Sequence, residues 1–371
     1  MMKKAMYLLF MVVLCSCVHE FPNMATPADV VLNIHKDFSF DGRKYLNIPS
    51  EDVDAVIEEN VLLPQNTLTS DEYDVRNIIR FYRKDAKGEY NYSRYDYEFV
   101  VIEDEPTLSN ISTEVKIAEG TYMIYVWSDF VKEGESESPY YNTEDFRAIS
   151  YNEEYAANHE SKDAFYGSTE VKVIRYGKDY NENQFHISME RPFSKFVIIS
   201  NHLEEFVTKA YALKYSEMFQ DADDADAPAS ELNVDPSDYE VRLVYMSDGL
   251  SDKFGTDKPA IYDLPVTFNI FKEAATASRS NIGFKSSIVQ LSDDEAQLGF
   301  DYIYPGQGMA YVAIGVYDKK DGTRLVQTPS IAIPLIRNWE TVVTGSFLTE
   351  NSNKGTVINA GFLGDHNYEI K

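Results

Sequence analysis

The sequence predicts a mostly β protein built from antiparallel sandwiches, and three observations carry that expectation. Apolar residues recur at every second position through one short segment after another, the period of a half-buried strand. Turn-forming pairs separate these segments, among them Asp41-Gly42, Glu119-Gly120 and Asp321-Gly322. Only 203–218 places apolar residues at helical spacing, with Leu203, Phe206, Ala210 and Leu213 three and four apart.

Taken in order, the first strand covers 29–40, with Val30, Leu32 and Ile34 on one face and Val31, Asn33 and His35 on the other. Further strands are predicted over 77–83, 95–102, 112–118 and 121–127. Glu119-Gly120 reads as a two-residue hairpin connection between the last two. Tyr90, Tyr92, Tyr95 and Tyr97 fall at β spacing, which suits rings packed on a sheet with their hydroxyls wet. The polar stretch 131–162 reads as loop, and strands resume at 169–176 and 184–189. Arg191-Pro192 then interrupts before an apolar strand over 195–201. After the helix comes an acidic loop, 220–238, followed by strands at 239–246, 264–270, 283–291, 297–303, 310–317, 330–334 and 341–348.

The N-terminus has a separate logic. Lys3 and Lys4 precede an apolar run over 5–14, which ends in Leu14-Cys15-Ser16-Cys17. The run is shorter than the ~20 apolar residues a membrane-spanning helix needs, so 1–17 reads as a signal peptide of the bacterial lipoprotein type. Cys17 is then the lipidation site, its thiol carrying diacylglycerol and its freed amine a further acyl chain such as palmitate. Several chains on one residue anchor a protein far better than one. Residues 18–27 read as a tether, 28–185 as an N-terminal sandwich and 186–371 as a C-terminal sandwich. The expected location on this reading is outside the cytoplasm, tethered by lipid.

Composition excludes more than it identifies. The 371 residues include two cysteines, Cys15 and Cys17, both in the leader region, which leaves no disulfide, thiolate metal site or cysteine nucleophile for the mature chain. A formal net charge of −27 opposes binding to nucleic acid or an anionic lipid surface. The six histidines, His19, His35, His159, His186, His202 and His366, show no metal-ligand spacing. No nucleophile elbow or phosphate loop is present. The acidic run 221–226 fails as a calcium loop, with Asp226 where glycine is needed and Leu232 where glutamate is needed. No enzyme activity, metal or cofactor is expected. Aromatic stripes such as 90–99 leave sugar stacking open.

Several phrases in order carry a resemblance: 120–129 with Gly120 and Trp127, 163–168 with Asp163 and Gly167, and 189–196 with Arg191-Pro192. Two more follow, 257–259 with 266–268, and 334–349 with Arg337-Asn338 and Gly345. Together they resemble the fimbrillin-like lipoproteins of Bacteroidota, the family of type V pilins and their minor and anchoring subunits. The resemblance implies two transthyretin-like sandwich domains and a structural, non-catalytic place in a surface fimbria, with other fimbrial subunits as partners and an adhesion ligand on a host or bacterial surface. It implies that Gly120 supplies a tight turn and that Arg337-Asn338 ties a loop to the sheet. It also implies maturation by a trypsin-like cut after a basic residue behind the first strand, followed by donor-strand complementation from the next subunit. Arg43, with Lys44 beside it, is the matching position. The rival reading is an outer-membrane glycan-binding lipoprotein of a polysaccharide-uptake system.

Overall fold

A computed structural model describes residues 27–48, 68–175, 183–219, 234–245, 264–279, 282–306 and 308–349. The leader with Cys17, most of the tether, the acidic run 221–226 and the phrase 257–259 lie outside the described residues. Strands dominate. The first half carries β1 (Ala28–Lys36), β2 (Gly42–Ile48), β3 (Tyr73–Arg83), β4 (Tyr97–Glu103), β5 (Asn110–Ile117) and β6 (Gly120–Lys132). Then come β7 (Tyr141–Asn142), β8 (Ile149–Tyr151), β9 (Ala164–Val173), β10 (Gln184–Met189) and β11 (Ser194–Ser200), followed by α1 (Leu203–Phe219). The rest is β12 (Tyr239–Tyr245), β13 (Leu264–Asn269), β14 (Ala274–Arg279), β15 (Gly283–Ser287) and β16 (Val289–Gln290). It closes with β17 (Ala296–Ile303), β18 (Met309–Asp318), β19 (Arg324–Gln327), β20 (Ile331–Pro334) and β21 (Trp339–Gly345).

Two sandwiches share a middle. Sheet β10-β1-β5 packs on sheet β4-β3-β6-β9 through a core that includes Val30, Leu32, Ile34, Ile79, Phe81, Ile124 and Val126. Sheet β16-β17-β11-β21-β2 packs on β15-β12-β18-β19 and on α1 through a second core around Phe196, Ile198, Leu243 and Ile314. A third cluster joins them: Tyr125 and Trp127 of β6 meet Val197 and Ile199 of β11, Tyr302 of β17, Phe193 and Tyr304. Strands β6 and β11 thus serve two cores with alternate side chains, which is why they read as near-continuous apolar runs. Residues 28–185 and 186–371 do not partition these pairings cleanly. β2 pairs with β21 in the second sandwich, while β10 pairs with β1 in the first.

Several expectations change. Glu119-Gly120 is not a hairpin connection, because β5 pairs with β1 and β6 pairs with β3 and β9. Ile117 and Tyr122 enter the same core from opposing sheets, so the chain turns across the sandwich at that point. Asp321-Gly322 does join an antiparallel pair, β18 and β19, and Gly322 takes the positive φ of 78° that the turn requires. The sheets are mostly antiparallel, but β1·β10, β11·β21 and β2·β21 run parallel, each bridged by a long crossover. Stretch 131–162 is not simply loop. It carries β7 and β8 and buries Tyr140, Tyr141, Phe146, Tyr151 and Lys162. On α1, Leu203, Phe206 and Ala210 are buried, whereas Leu213 is exposed, so the apolar face stops one turn early.

The shared middle couples the sandwiches. Phe193 is fully buried there, and Phe193→Ala should cost about 3–5 kcal/mol through lost packing and the cavity left behind. Denaturant unfolding followed by circular dichroism and by the fluorescence of Trp127 and Trp339 should give one coincident transition that shifts as a unit. Two separated transitions, with only one displaced, would show that the sandwiches unfold independently.

Candidate functional site

The site begins with the alternation in β1. Val30 and Leu32 are fully buried and Ile34 nearly so, with Ala28 below them, while Asp29 and His35 face out. β1 is the central strand of its sheet, antiparallel to β5 on one side and parallel to β10 on the other. Each of its backbone edges is therefore committed. Withdrawing it removes three large apolar side chains worth ~1.5–3 kcal/mol each. It also leaves a strand-wide slot with unpaired backbone on both walls.

The alternation that buries Val30, Leu32 and Ile34 runs on to Lys36, which is 1% exposed at the end of the strand. Its Nζ lies 3.5 Å from Ser128 Oγ and 5.8 Å from the centre of the Phe38 ring. Among the described residues no carboxylate stands within ion-pair distance of it. Burial pushes its pKa down to about 8, with Glu103 and Asp163 pulling weakly the other way. The strand thus carries one residue that resists the placement its neighbours favour.

Behind β1 the chain crosses from the first sandwich to the second through 37–41, and Arg191 holds that strap. Its Nη2 donates to Phe38 O at 2.6 Å, and its Nη1 donates to Ser39 O at 2.7 Å and to Asn338 Oδ1 at 3.0 Å. Nε donates to both oxygens of Asp163 at 3.0 and 2.8 Å. The guanidinium carbon lies 4.3 Å from the centre of the Phe40 ring and 4.8 Å from that of Phe165. Arg191 and Asp163 are both buried, so the pair is tolerated because the whole planar fork finds partners. Asn338, at φ 57°, donates its N–H to Phe193 O and accepts from Asp41 N. Arg337 donates to Tyr166 Oη at 2.7 Å and to the carbonyl of Glu273. The pair Arg337-Asn338 does tie a loop to its surroundings, and three of the motif phrases meet at Arg191.

Arg43 and Lys44 lie in β2, an edge strand paired with β21, opposite Glu340 and Thr341. Arg43 Nε sits 2.6 Å from the buried Glu340 Oε2, with the arginine side chain 44% exposed. The sequence marks a turn at Asp41-Gly42 but does not announce the strand that starts there. A protease cleft takes an extended, unpaired chain, so the bond after Arg43 is reached only once the start of β2 peels away from β21. Lys36 and the Arg191–Asp163 pair were also missed as site residues. Lys36 was legible, since it keeps phase with the buried face. Arg191 stands out in the sequence as an interruption before proline and within the phrase 189–196, not as a hub.

The aromatic stripe is occupied by its own members. Tyr92 stacks between Tyr90 at 6.0 Å and Phe271 at 4.5 Å, and Lys84 Nζ lies 5.2 Å from the centre of the Tyr90 ring. Tyr97 stacks on Phe99 at 6.4 Å. Among the described residues no group of histidine, cysteine or acidic side chains is arranged to hold a metal ion, and no helix is long and apolar enough to cross a membrane.

A model of a family of unknown function, DUF6562, matches residues 46–371. No curated protein matches the chain. Among solved structures it is similar to the fimbrial anchor protein Mfa2 from Porphyromonas gingivalis, at 12% identity and TM-score 0.37, over 81% of this chain and 82% of that one. It is similar to the tip fimbrial protein Mfa3 from Porphyromonas gingivalis with C-terminal truncation, at 7% identity and TM-score 0.31, over 81% of each chain. A candidate cell adhesion protein from Bacteroides eggerthii is similar at 11% identity and TM-score 0.37, over 89% of this chain and 90% of that one.

The Lys36 environment sets a pH dependence whose sign is fixed. The folded-state pKa of this cation lies below its value of 10.5 in the free chain, so its charge opposes folding below pH 8. That opposition fades as pH rises from about 8 to about 10.5. Lys36→Met should therefore stabilise the protein by roughly 1–3 kcal/mol at pH 7, and the gain should shrink as pH approaches 10. Denaturant titrations of both proteins across pH 7–10 check this. A gain that does not change with pH would place the lysine in a hydrated site.

Proposed function

We propose, for a chain that belongs to the DUF6562 family, that it is a structural subunit of a cell-surface fimbria in which β1 acts as a built-in plug for the groove that receives a neighbour's strand. The observation that carries the reading is the placement of β1. It is the middle strand of three, buries alternate apolar residues, and joins the strands that follow it only through the strap that Arg191 clamps. An incoming strand with apolar residues at every second position could replace it on both backbone edges and in the same pockets. The sequence resemblance to fimbrillin-like lipoproteins supports the same reading. On that reading the uncut subunit is lipid-anchored to the outer membrane through Cys17, the cut after Arg43 releases it from that anchor together with β1, and its partners are other fimbrial subunits.

Release of the plug is guarded. The cut after Arg43 requires β2 to peel from β21 and the Arg43–Glu340 contact to open. A subunit with this guard holds its first strand until a protease engages it, and an anchoring or tip subunit would keep it.

Limited trypsin treatment of the purified chain, with the products identified by mass, tests the reading. A cut at Arg43 or Lys44 should yield protein that forms SDS-resistant oligomers, and Arg43→Ala with Lys44→Ala should abolish both. Cut protein that has lost 28–43 and stays monomeric at high concentration would overturn assembly by strand exchange.

A further inference from the structure

A second buried cluster has no part in the strap or the plug. Lys162, in the turn of 3-10 helix at 160–162, and Asp301 of β17 face each other with Nζ 2.6 Å from Oδ1. Their side chains are 1% and 0% exposed. Asp301 Oδ2 accepts hydrogen bonds from Tyr155 Oη and Tyr245 Oη, both at 2.5 Å. The Lys162 ammonium also lies 4.0 and 4.5 Å from the centres of the Tyr155 and Tyr151 rings. The other fully buried ion pairs, Arg76–Asp129 and Arg191–Asp163, use guanidinium groups, which do not acylate under these conditions. Lys195, which meets Glu160 and Glu340, keeps 11% exposure. Lys162–Asp301 is thus the one lysine–carboxylate pair among the described residues whose two side chains are both shut away from water.

We propose that Lys162 and Asp301 form an intramolecular isopeptide bond, a covalent staple between 131–162 and the second sandwich. This does not depend on the fimbrial reading. In a dry cage, moving one proton from the ammonium to Oδ1 turns an expensive ion pair into a neutral amine and a neutral acid. Burial lowers the Lys162 pKa, which favours the free amine, although the Asp301 charge pulls the other way. Nζ then attacks Asp301 Cγ. Oδ2 becomes the oxyanion, held by the two tyrosine hydroxyls, which burial keeps protonated as donors. The Nζ–Cγ bond forms, the Cγ–Oδ1 bond breaks, and Oδ1 leaves as water, having taken two protons from the nitrogen. No external reagent is needed, and the fold supplies the proximity.

Intact-mass measurement of the denatured full chain, followed by peptide mapping, decides the matter. The expected result is a loss of one water, about 18 Da, from stoichiometry of condensation, with a branched tryptic peptide joining Lys162 to Asp301 and no cut after Lys162. Mapping is needed because dehydration at Asp41-Gly42 or Asp321-Gly322 has the same mass. Asp301→Asn should form the same link with loss of ammonia instead of water. Tyr155→Phe with Tyr245→Phe should slow formation in protein whose circular dichroism is unchanged. Folded protein in which Lys162 is freely cleaved by trypsin after denaturation, and no branched peptide is found even after prolonged incubation, would overturn the proposal and leave an ion pair only.

Discussion

A buried guanidinium has five N–H donors and no means of losing its charge, so the chain around it must supply acceptors. Arg191 meets that demand from three places at once: the strap with Phe38 O, Ser39 O and the Phe40 ring, the segment with Asp163 and the Phe165 ring, and Asn338 before β21. Each comes from a different part of the chain, and together they fix where β1 ends and β2 begins. The crossing between sandwiches follows from this. Residues 37–41 cannot take another path without stranding the arginine, the aspartate or both, a loss on the order of 3–5 kcal/mol for a buried pair.

Two opposing tendencies meet in β1. Its alternate apolar residues and its two backbone edges hold it in the sheet, whereas Lys36 at its end sits in a place that penalises its charge. The strand is bound strongly along most of its length and poorly at the end next to the strap. Such an arrangement makes the strap clamp the contact that supports the weaker end. While Arg191 holds Phe38 and Ser39, Lys36 stays where it is, and the strand with it.

The period-two reading of 29–40 found the strand and its buried face but ran four residues past its end at Lys36, into the strap; alternation placed most later strands within a few residues, because it is a local property. Pairing is not local. Nothing in Glu119-Gly120 says that the strands on either side enter opposite sheets, and nothing in Gly42-Arg43-Lys44 says that β21, some three hundred residues later, will line up beside them. The stretch 131–162 looked like loop because its aromatics lack periodicity, yet Tyr140, Tyr141, Phe146 and Tyr151 pack into the shared middle from short, irregular pieces. The wet hydroxyls expected of Tyr90, Tyr92, Tyr95 and Tyr97 are no guide to tyrosines elsewhere in the chain. Tyr151, Tyr155 and Tyr245 instead bury theirs against Tyr302 O and Asp301, which only tertiary contact could reveal. Arg191 is invisible as a hub for the same reason, since its partners lie 28 to 153 residues away.

The Arg191 clamp adds to the strand's own burial in keeping β1 in its slot, and it acts at the end where Lys36 weakens the hold. Hydrogen exchange of the full chain read by mass spectrometry, with Arg191→Lys compared against the parent, tests it most directly. The lysine keeps a charge near Asp163 but cannot reach Phe38 O, Ser39 O and Asn338 Oδ1 together. Peptides covering 28–36, and their pairing partners in β5 and β10, should lose protection by tenfold or more in rate, while β11 and β17 keep theirs. Equal loss of protection in every strand, or none in β1, would contradict the account.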